Sequence, residues 1–359
     1  MTSDLAAAKS AVPPPSEPAG DPAPSKTSWW RDDSTESARR NLALVAVLLA
    51  LFVIGAITKP NLYSDPDWVV DNMFTILKLA SVIGVVTVGM TFVIIGGGID
   101  LSVGAIIALA GVWATTVQTQ SFGTGGMIFT ALAVGMGVGL VNGVLISYGR
   151  LVPFIATLAM LVAARGLASE ISGQQTQISR SRFINDIAAN KLLGIPILVY
   201  IFVAVAAAGW VLLNRTTFGR RTVAVGGNTE AARLAGINVK RHTMLLYVLS
   251  GLCCGIGAIM LTSQATSAQA AAANLYELDA IAAAIIGGTL LAGGRGTIVG
   301  SLLGVLIFST ITNLFAINNL STEAQNMLKG GIIVAAVLIQ QFQFKSVSQF
   351  LARNKLTRT

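Results

Sequence analysis

Charge is what this sequence has least of: only 11% of its 359 residues are Asp, Glu, Lys or Arg, whereas 53% are hydrophobic. A soluble domain carries about a quarter charged residues, so a water-facing globular surface is excluded and the chain is a polytopic membrane protein. Cysteine is almost as scarce. Cys253 and Cys254 are adjacent inside an apolar run, where neighbouring side chains point in different directions, which excludes a disulfide framework or a metal site. The one histidine, His242, stands beside Lys240 and Arg241; it reads as an interfacial residue, because acid–base or ligand chemistry needs partners around it. A Gly-x-x-x-x-Gly-Lys-Ser/Thr phosphate loop is missing, so ATP hydrolysis has to come from another chain. Clustered His or Cys and paired intramembrane carboxylates are also missing, which argues against a membrane enzyme or an assembly factor. Catalytic residues, metals and cofactors are therefore not expected.

What the chain has is long apolar runs. Stretches of about 17–25 apolar residues read as spans, and ten are predicted, near 42–58, 73–95, 103–119, 127–147, 152–171, 194–213, 243–262, 278–292, 297–317 and 327–341. The eighth is short and holds Gly287-Gly288, so it is expected to be broken, and nine spans remain an alternative. The fold class expected is all-α, with one or two broken or re-entrant segments. Residues 1–40, rich in Pro, Ala, Ser and Asp without apolar periodicity, read as a disordered cytoplasmic tail. Residues 41–343 form the transmembrane domain, with a cytoplasmic loop at 214–242, and 344–359 a cytoplasmic tail.

The net charge of +8 is topological. With the N-terminus inside, most Lys and Arg fall in cytoplasmic segments, among them Arg39, Arg40, Arg150, Arg215, Arg220, Arg221, Arg233, Lys240, Arg241 and Arg295, as the positive-inside rule requires. Nucleic acid is not called for. Glycine, at 37 residues, suits closely packed helices: Ala131, Gly135, Gly139, Gly143 and Ser147 recur every four residues along one face, as do Gly296, Gly300 and Gly304.

The stretch that interrupts these runs most sharply is Gly96-Gly97-Gly98-Ile99-Asp100-Leu101-Ser102-Val103-Gly104. Consecutive glycines are poor helix material, and an ionised Asp near hydrocarbon is costly unless it works or finds a partner. Asp100 or Ser102 capping the next helix is the structural alternative. The topology puts this stretch toward the cytoplasmic ends of spans two and three, with a re-entrant position deeper in the bilayer as the alternative. Ile94-Ile95-Gly96-Gly97 recurs as Ile285-Ile286-Gly287-Gly288, both running in the same direction, so an inverted repeat is not supported.

In the 214–242 loop, Asn228 or Thr229 is placed to cap a short helix, Glu230 suits its positive end, and Gly236 its left-handed stop. Such a helix is a handle for another protein. Within the spans, Lys78 is expected to snorkel outward, and Arg165 to snorkel or pair with Glu170. Asn142, Gln264, Glu277, Asp279 and Asn313 are candidates for pathway or binding-protein contacts, with helix–helix hydrogen bonding the alternative for the amides.

Several of these segments together resemble one family. Gly97 through Gly104, Phe154-Ile155-Ala156-Thr157-Leu158 with Arg165-Gly166, Gly226-Gly227-Asn228 followed by Gly236-Ile237-Asn238, and Tyr276-Glu277-Leu278-Asp279-Ala280-Ile281-Ala282 continuing to Gly296 all match it. The sequence resembles the permease subunit of a bacterial ABC sugar importer of the ribose/xylose/galactose type over about residues 42–340. The resemblance implies a homodimeric pore in the inner membrane, a cytoplasmic ATPase dimer that drives it, and a periplasmic sugar-binding protein that delivers substrate. It puts Gly227, Asn228, Glu230, Arg233 and Gly236 in the loop that docks the ATPase, and makes Gly98, Asp100, Ser102 and Gly104 a signature with a gating role. The Glu-Ala-Ala spacing in that loop fits many ABC permeases, but the Ile-x-Leu-Pro that follows in them is missing. An ion-coupled secondary transporter using Asp100 is the rival class. Within importers, branched-chain amino acids, nucleosides or a sugar-like signalling molecule are the alternatives.

Overall fold

The computed structural model describes residues 28–338. The N-terminal tail up to residue 27 and the expected C-terminal tail lie outside the described residues. Two compact units divide at Arg39–Arg40, and the helical bundle belongs to the second. Helix α1 (Ser28–Thr58) starts ahead of the expected first span, so residues 28–40, placed in the tail by composition, are helical. A short α2 (Pro60–Tyr63) leads to α3 (Pro66–Ile95), whose Asp65 cap and Pro66 start follow the usual helix-entry chemistry.

Then come α4 (Val103–Ala114), α5 (Val117–Ser121), α6 (Gly123–Ser147) and α7 (Pro153–Ser172). A small ordered patch follows, with β1 (Gln177–Ile178), α8 (Arg182–Ala189), β2 (Lys191–Leu192) and β3 (Ile195–Pro196). The chain continues as α9 (Ile197–Arg215), α10 (Thr217–Gly227), α11 (Thr229–Leu234) and α12 (Val239–Ala265). It closes with β4 (Ser267–Ala268), α13 (Tyr276–Ile286), α14 (Ile298–Ile317) and α15 (322–338). β1 pairs antiparallel with β4, and β2 with β3.

Among the described residues, seven helices are long and apolar enough to cross a membrane: α1, α3, α6, α7, α9, α12 and α14. Of the ten predicted spans, α15 runs to the edge of the described residues, and two are half-length. The third stops after Ala114: the Thr115 N–H still bonds the Gly111 carbonyl, and at Thr116 the backbone turns extended and its hydroxyl caps α5. The eighth stops at Ile286. With 12 and 11 residues, α4 and α13 reach about 18 and 16 Å at 1.5 Å per residue, against about 30 Å of hydrocarbon.

The short repeat is one helix stop used twice. Gly97 and Gly288 have φ of 84° and 85°, a region costly for any other residue. Gly98 N–H returns to the Val93 carbonyl and Thr289 N–H to that of Ala284. Both stops lie at the end of the bundle built by α10, α11 and the start of α12; the β1–β4 pair marks the opposite end.

The core is α12 wrapped by α3, α4 and α6. The glycine stripe of α6 lies on its buried face, and the backbones almost touch: a methyl on Gly139 would overlap the Tyr247 carbonyl, one on Gly135 that of Gly251. The second stripe works likewise, with Gly300 against Gly287 and Gly304 against Ala283. Small side chains here let helix backbones approach without a cavity.

Candidate functional site

The two half-helices meet head to head. Gly104, in the first turn of α4, lies against the Ala273 carbonyl and Glu277, in the first turn of α13; a Cβ on it would sit 2.6 Å from Glu277 Oε2. From there α4 runs toward the β1–β4 end and α13 toward the α10–α11 end. Two positive helix ends therefore converge, and Asp100, Glu277 and Asp279, all buried, bring carboxylates to them, the sign a helix N-terminus favours.

Asp100 has no exposed surface. Its Oδ1 accepts the Ser102 amide at 3.0 Å and the Ser102 hydroxyl at 2.6 Å, and its Oδ2 accepts the Ser250 hydroxyl at 3.0 Å. Asn142 Nδ2 donates to Ser102 Oγ at 2.8 Å, which leaves Asn142 Oδ1 buried without a partner. Ser102 stands at the N-cap of α4 but makes no capping bond of its own; its hydroxyl is spent on Asp100. The carboxylate thus ties three helices, α4 through Ser102, α12 through Ser250 and α6 through Asn142. Ser250 is about 16 Å along α12 from Val239 and about 22 Å from Ala265, so Asp100 lies at mid-depth rather than at the helix ends where the topology puts it. The reason is that after the α3 stop the non-helical residues 98–102 run back into the bundle, past Tyr247 to Ser250, before α4 begins.

Arg165, midway along α7, neither snorkels nor meets Glu170. Its Nη1 donates to the Ala270 and Ala272 carbonyls, each at 2.7 Å, and so holds the irregular loop that carries the chain down to α13. Irregular backbone at membrane depth needs internal partners of this kind. Asp279 is paired with Lys329 of α15 at 3.0 Å, and the ammonium also lies over the Phe308 ring. Glu277 Oε2 is buried and has no hydrogen-bond partner. Gln264 donates to the Lys78 carbonyl and Asn313 to Asn72, each at 3.0 Å, so both amides join helices.

At the α10–α11 end, Asn228 Oδ1 accepts the Ala231 amide at 2.9 Å and caps α11, and Gly236 ends it with φ 81°. Glu230 and Arg233 pair at 2.9 Å on the exposed face. His242, in the first turn of α12 at this same end, is buried among the helices. Thr222 donates to the Phe218 carbonyl, so its oxygen is free to accept from His242 Nε2 at 2.9 Å, which fastens α10 to α12. Sequence reasoning overlooked Ser250, Lys329 and the His242–Thr222 tie. An isolated Ser in an apolar run carries no signal, but an Arg centred in a span and a Lys just past a break both do.

Among the described residues no group of three or more His, Cys, Asp or Glu could hold a metal ion, and the arrangement offers hydrogen bonding rather than a nucleophile and base. The family described as "Branched-chain amino acid transport system / permease component" matches residues 72–337. The chain is 40% identical over 300 residues to the ribose import permease of Bacillus subtilis, covering 82% of this chain and 90% of that one. It is 37% identical to the ribose import permease of Escherichia coli K12, covering 83% and 92%. To the galactofuranose transporter permease of the same strain it is 34% identical, covering 85% and 90%. No solved structure matches the chain. With long apolar helices, two half-helices joined head to head and this near full-length similarity, the chain belongs to the branched-chain amino acid transport system permease family.

Proposed function

We propose that this protein is the membrane-spanning permease of an ATP-binding-cassette importer and forms the path of a monosaccharide, a ribose-like pentose or a hexose, across a bacterial inner membrane. The observation that carries the reading is the 300-residue similarity to a ribose import permease, which spans both half-helices and the loop between α9 and α12. A second copy completes the pore. An ATPase dimer docks on α11 from the cytoplasm, through Gly227, Asn228, Glu230, Arg233 and Gly236, and a periplasmic sugar-binding protein docks at the β1–β4 end. Both termini are then cytoplasmic.

The geometry suits a conduit rather than a receptor. Asp100, Asn142, Gln264 and Asn313 spend hydrogen bonds on neighbouring helices, so the path offers weak contacts, and conduction requires binding loose enough to let go. Selection of the sugar then rests with the binding protein. In cells lacking their own ribose uptake, radiolabelled D-ribose should enter only when this chain is co-expressed with a partner ABC ATPase and a periplasmic sugar-binding protein. Uptake by this chain alone, abolished by collapsing the proton gradient, would instead identify an ion-coupled transporter.

A further inference from the structure

Three segments with no sequence continuity meet at the α10–α11 end, and each presents glycine. They are the stop after α3 (Gly97), the end of α10 (Gly226 and Gly227) and the loop after α13 (Gly293 and Gly294). Gly294 N–H donates to the Ile95 carbonyl at 2.8 Å, and a methyl on Gly226 would overlap that same oxygen. A Cβ on Gly293 would lie 3.0 Å from the Gly97 Cα, and one on Gly294 2.8 Å from the Gly227 Cα. These are backbone-to-backbone contacts with no side chain between to absorb a displacement, and packed contacts of this kind transmit strain.

The other side of the Gly96–Gly98 turn is open. A cavity of about 170 Å³ lies there, lined by Val93, Gly98, Thr229, Thr243, Leu246 and Tyr247 among others. Behind the junction, α10 and α11 form a stiff corner, held by Asn228 N–H and the Thr229 hydroxyl donating to the Ala224 and Val225 carbonyls. Ahead of it, Gly97 lies three residues before Asp100, and Gly293 is joined by the loop to the end of α13.

We infer that the Gly97–Gly226–Gly293–Gly294 junction is the mechanical link that carries a displacement of α11 to both half-helices at once, the turn before α4 moving into the cavity beside it. The inference rests on the proposed docking of an ATPase on α11. A coordinated shift of packed elements is a known form of switching. It also accounts for the two equal helix stops: each half-helix needs its own glycine turn to reach the same α10 end.

The test uses the assembled complex in liposomes, with radiolabelled D-ribose as probe, comparing Gly226→Ala, Gly294→Ala and Thr243→Phe with Gly137→Ala, whose added methyl meets open space. Thr243→Phe fills the cavity beside Gly96–Gly98 while leaving every glycine of the junction unsubstituted. We expect Thr243→Phe, and the glycine variants wherever they fold, to assemble with the ATPase and keep basal ATP hydrolysis, while uptake falls about tenfold or more and Gly137→Ala transports normally. Should the glycine variants fail to assemble, Thr243→Phe decides: assembly with lost uptake supports the link, and normal uptake overturns it. Normal uptake by an assembled Gly226→Ala overturns it as well. A wild-type complex without ATP-dependent uptake would instead remove the proposed function itself.

Discussion

At the scale of residues, the decisive feature is the set of donors gathered on the buried Asp100 carboxylate. Asp100 receives three donors, so Asp100→Ala should strand two hydroxyls and an amide, at about 1–3 kcal/mol for each left without an acceptor. Asp100→Asn keeps an acceptor oxygen, and the Ser250 hydroxyl can turn to accept from the new amide, so it should unfold close to the wild type. Thermal unfolding in detergent separates the two, and equal losses would mean that the charge itself is what α4 needs. The Asp279–Lys329 pair gives a second case. Lys329→Ala leaves a buried carboxylate alone, expected to cost about 3–5 kcal/mol, and adding Asp279→Asn should recover most of it. A double mutant no more stable than Lys329→Ala would contradict this. Residue roles were the least legible level. Asp100 and Arg165 announced themselves as charges in apolar runs, but their partners, Ser250 and the Ala270 and Ala272 carbonyls, lie 150 and 105–107 positions away, and composition carries no trace of a distant hydroxyl or carbonyl.

At the scale of elements, periodicity read well where a helix obeys its own sequence. The α6 stripe from Ala131 to Gly143 named its buried face, and Gly139→Leu should therefore wedge α6 from α12. The expected result is loss of the folded monodisperse protein by size-exclusion chromatography, and a normal yield would place that stripe outside the core. Asn228 and Gly236 likewise marked the ends of α11. The failure was α4, taken as a full span through Thr119. The residues after Ala114 are Thr115-Thr116-Val117-Gln118-Thr119, so the polar interruption stands in the sequence, and the break falls at Thr116, where the backbone turns extended and caps α5. The end of α13 was legible because Gly287-Gly288 breaks the run itself.

At the scale of the whole molecule, charge scarcity and apolar run length established the class, and the order of the glycine-rich motifs pointed to the family. Depth was the level that neither could supply. Counting spans put Gly96–Gly104 toward the cytoplasmic ends of spans two and three with a deeper re-entrant position open, and the Ser250 contact puts Asp100 near the middle of α12. That depth depends on the chain turning back into the bundle where α3 ends against Gly226, a contact between segments more than a hundred residues apart. The exposed Glu230–Arg233 pair belongs to this scale too. Because a surface pair contributes only about 0–1 kcal/mol, exchanging its charges with Glu230→Lys and Arg233→Glu should leave the fold intact while ATP hydrolysis no longer drives uptake. Unchanged transport would move the docking site away from α11.

The most direct measurement is made in proteoliposomes holding this chain and a partner ABC ATPase, with binding protein and radiolabelled D-ribose on one side and ATP on the other. The account expects ribose to accumulate against its gradient only when all three proteins and ATP are present, and an ionophore to have no effect. Accumulation without ATP or without the ATPase would contradict it.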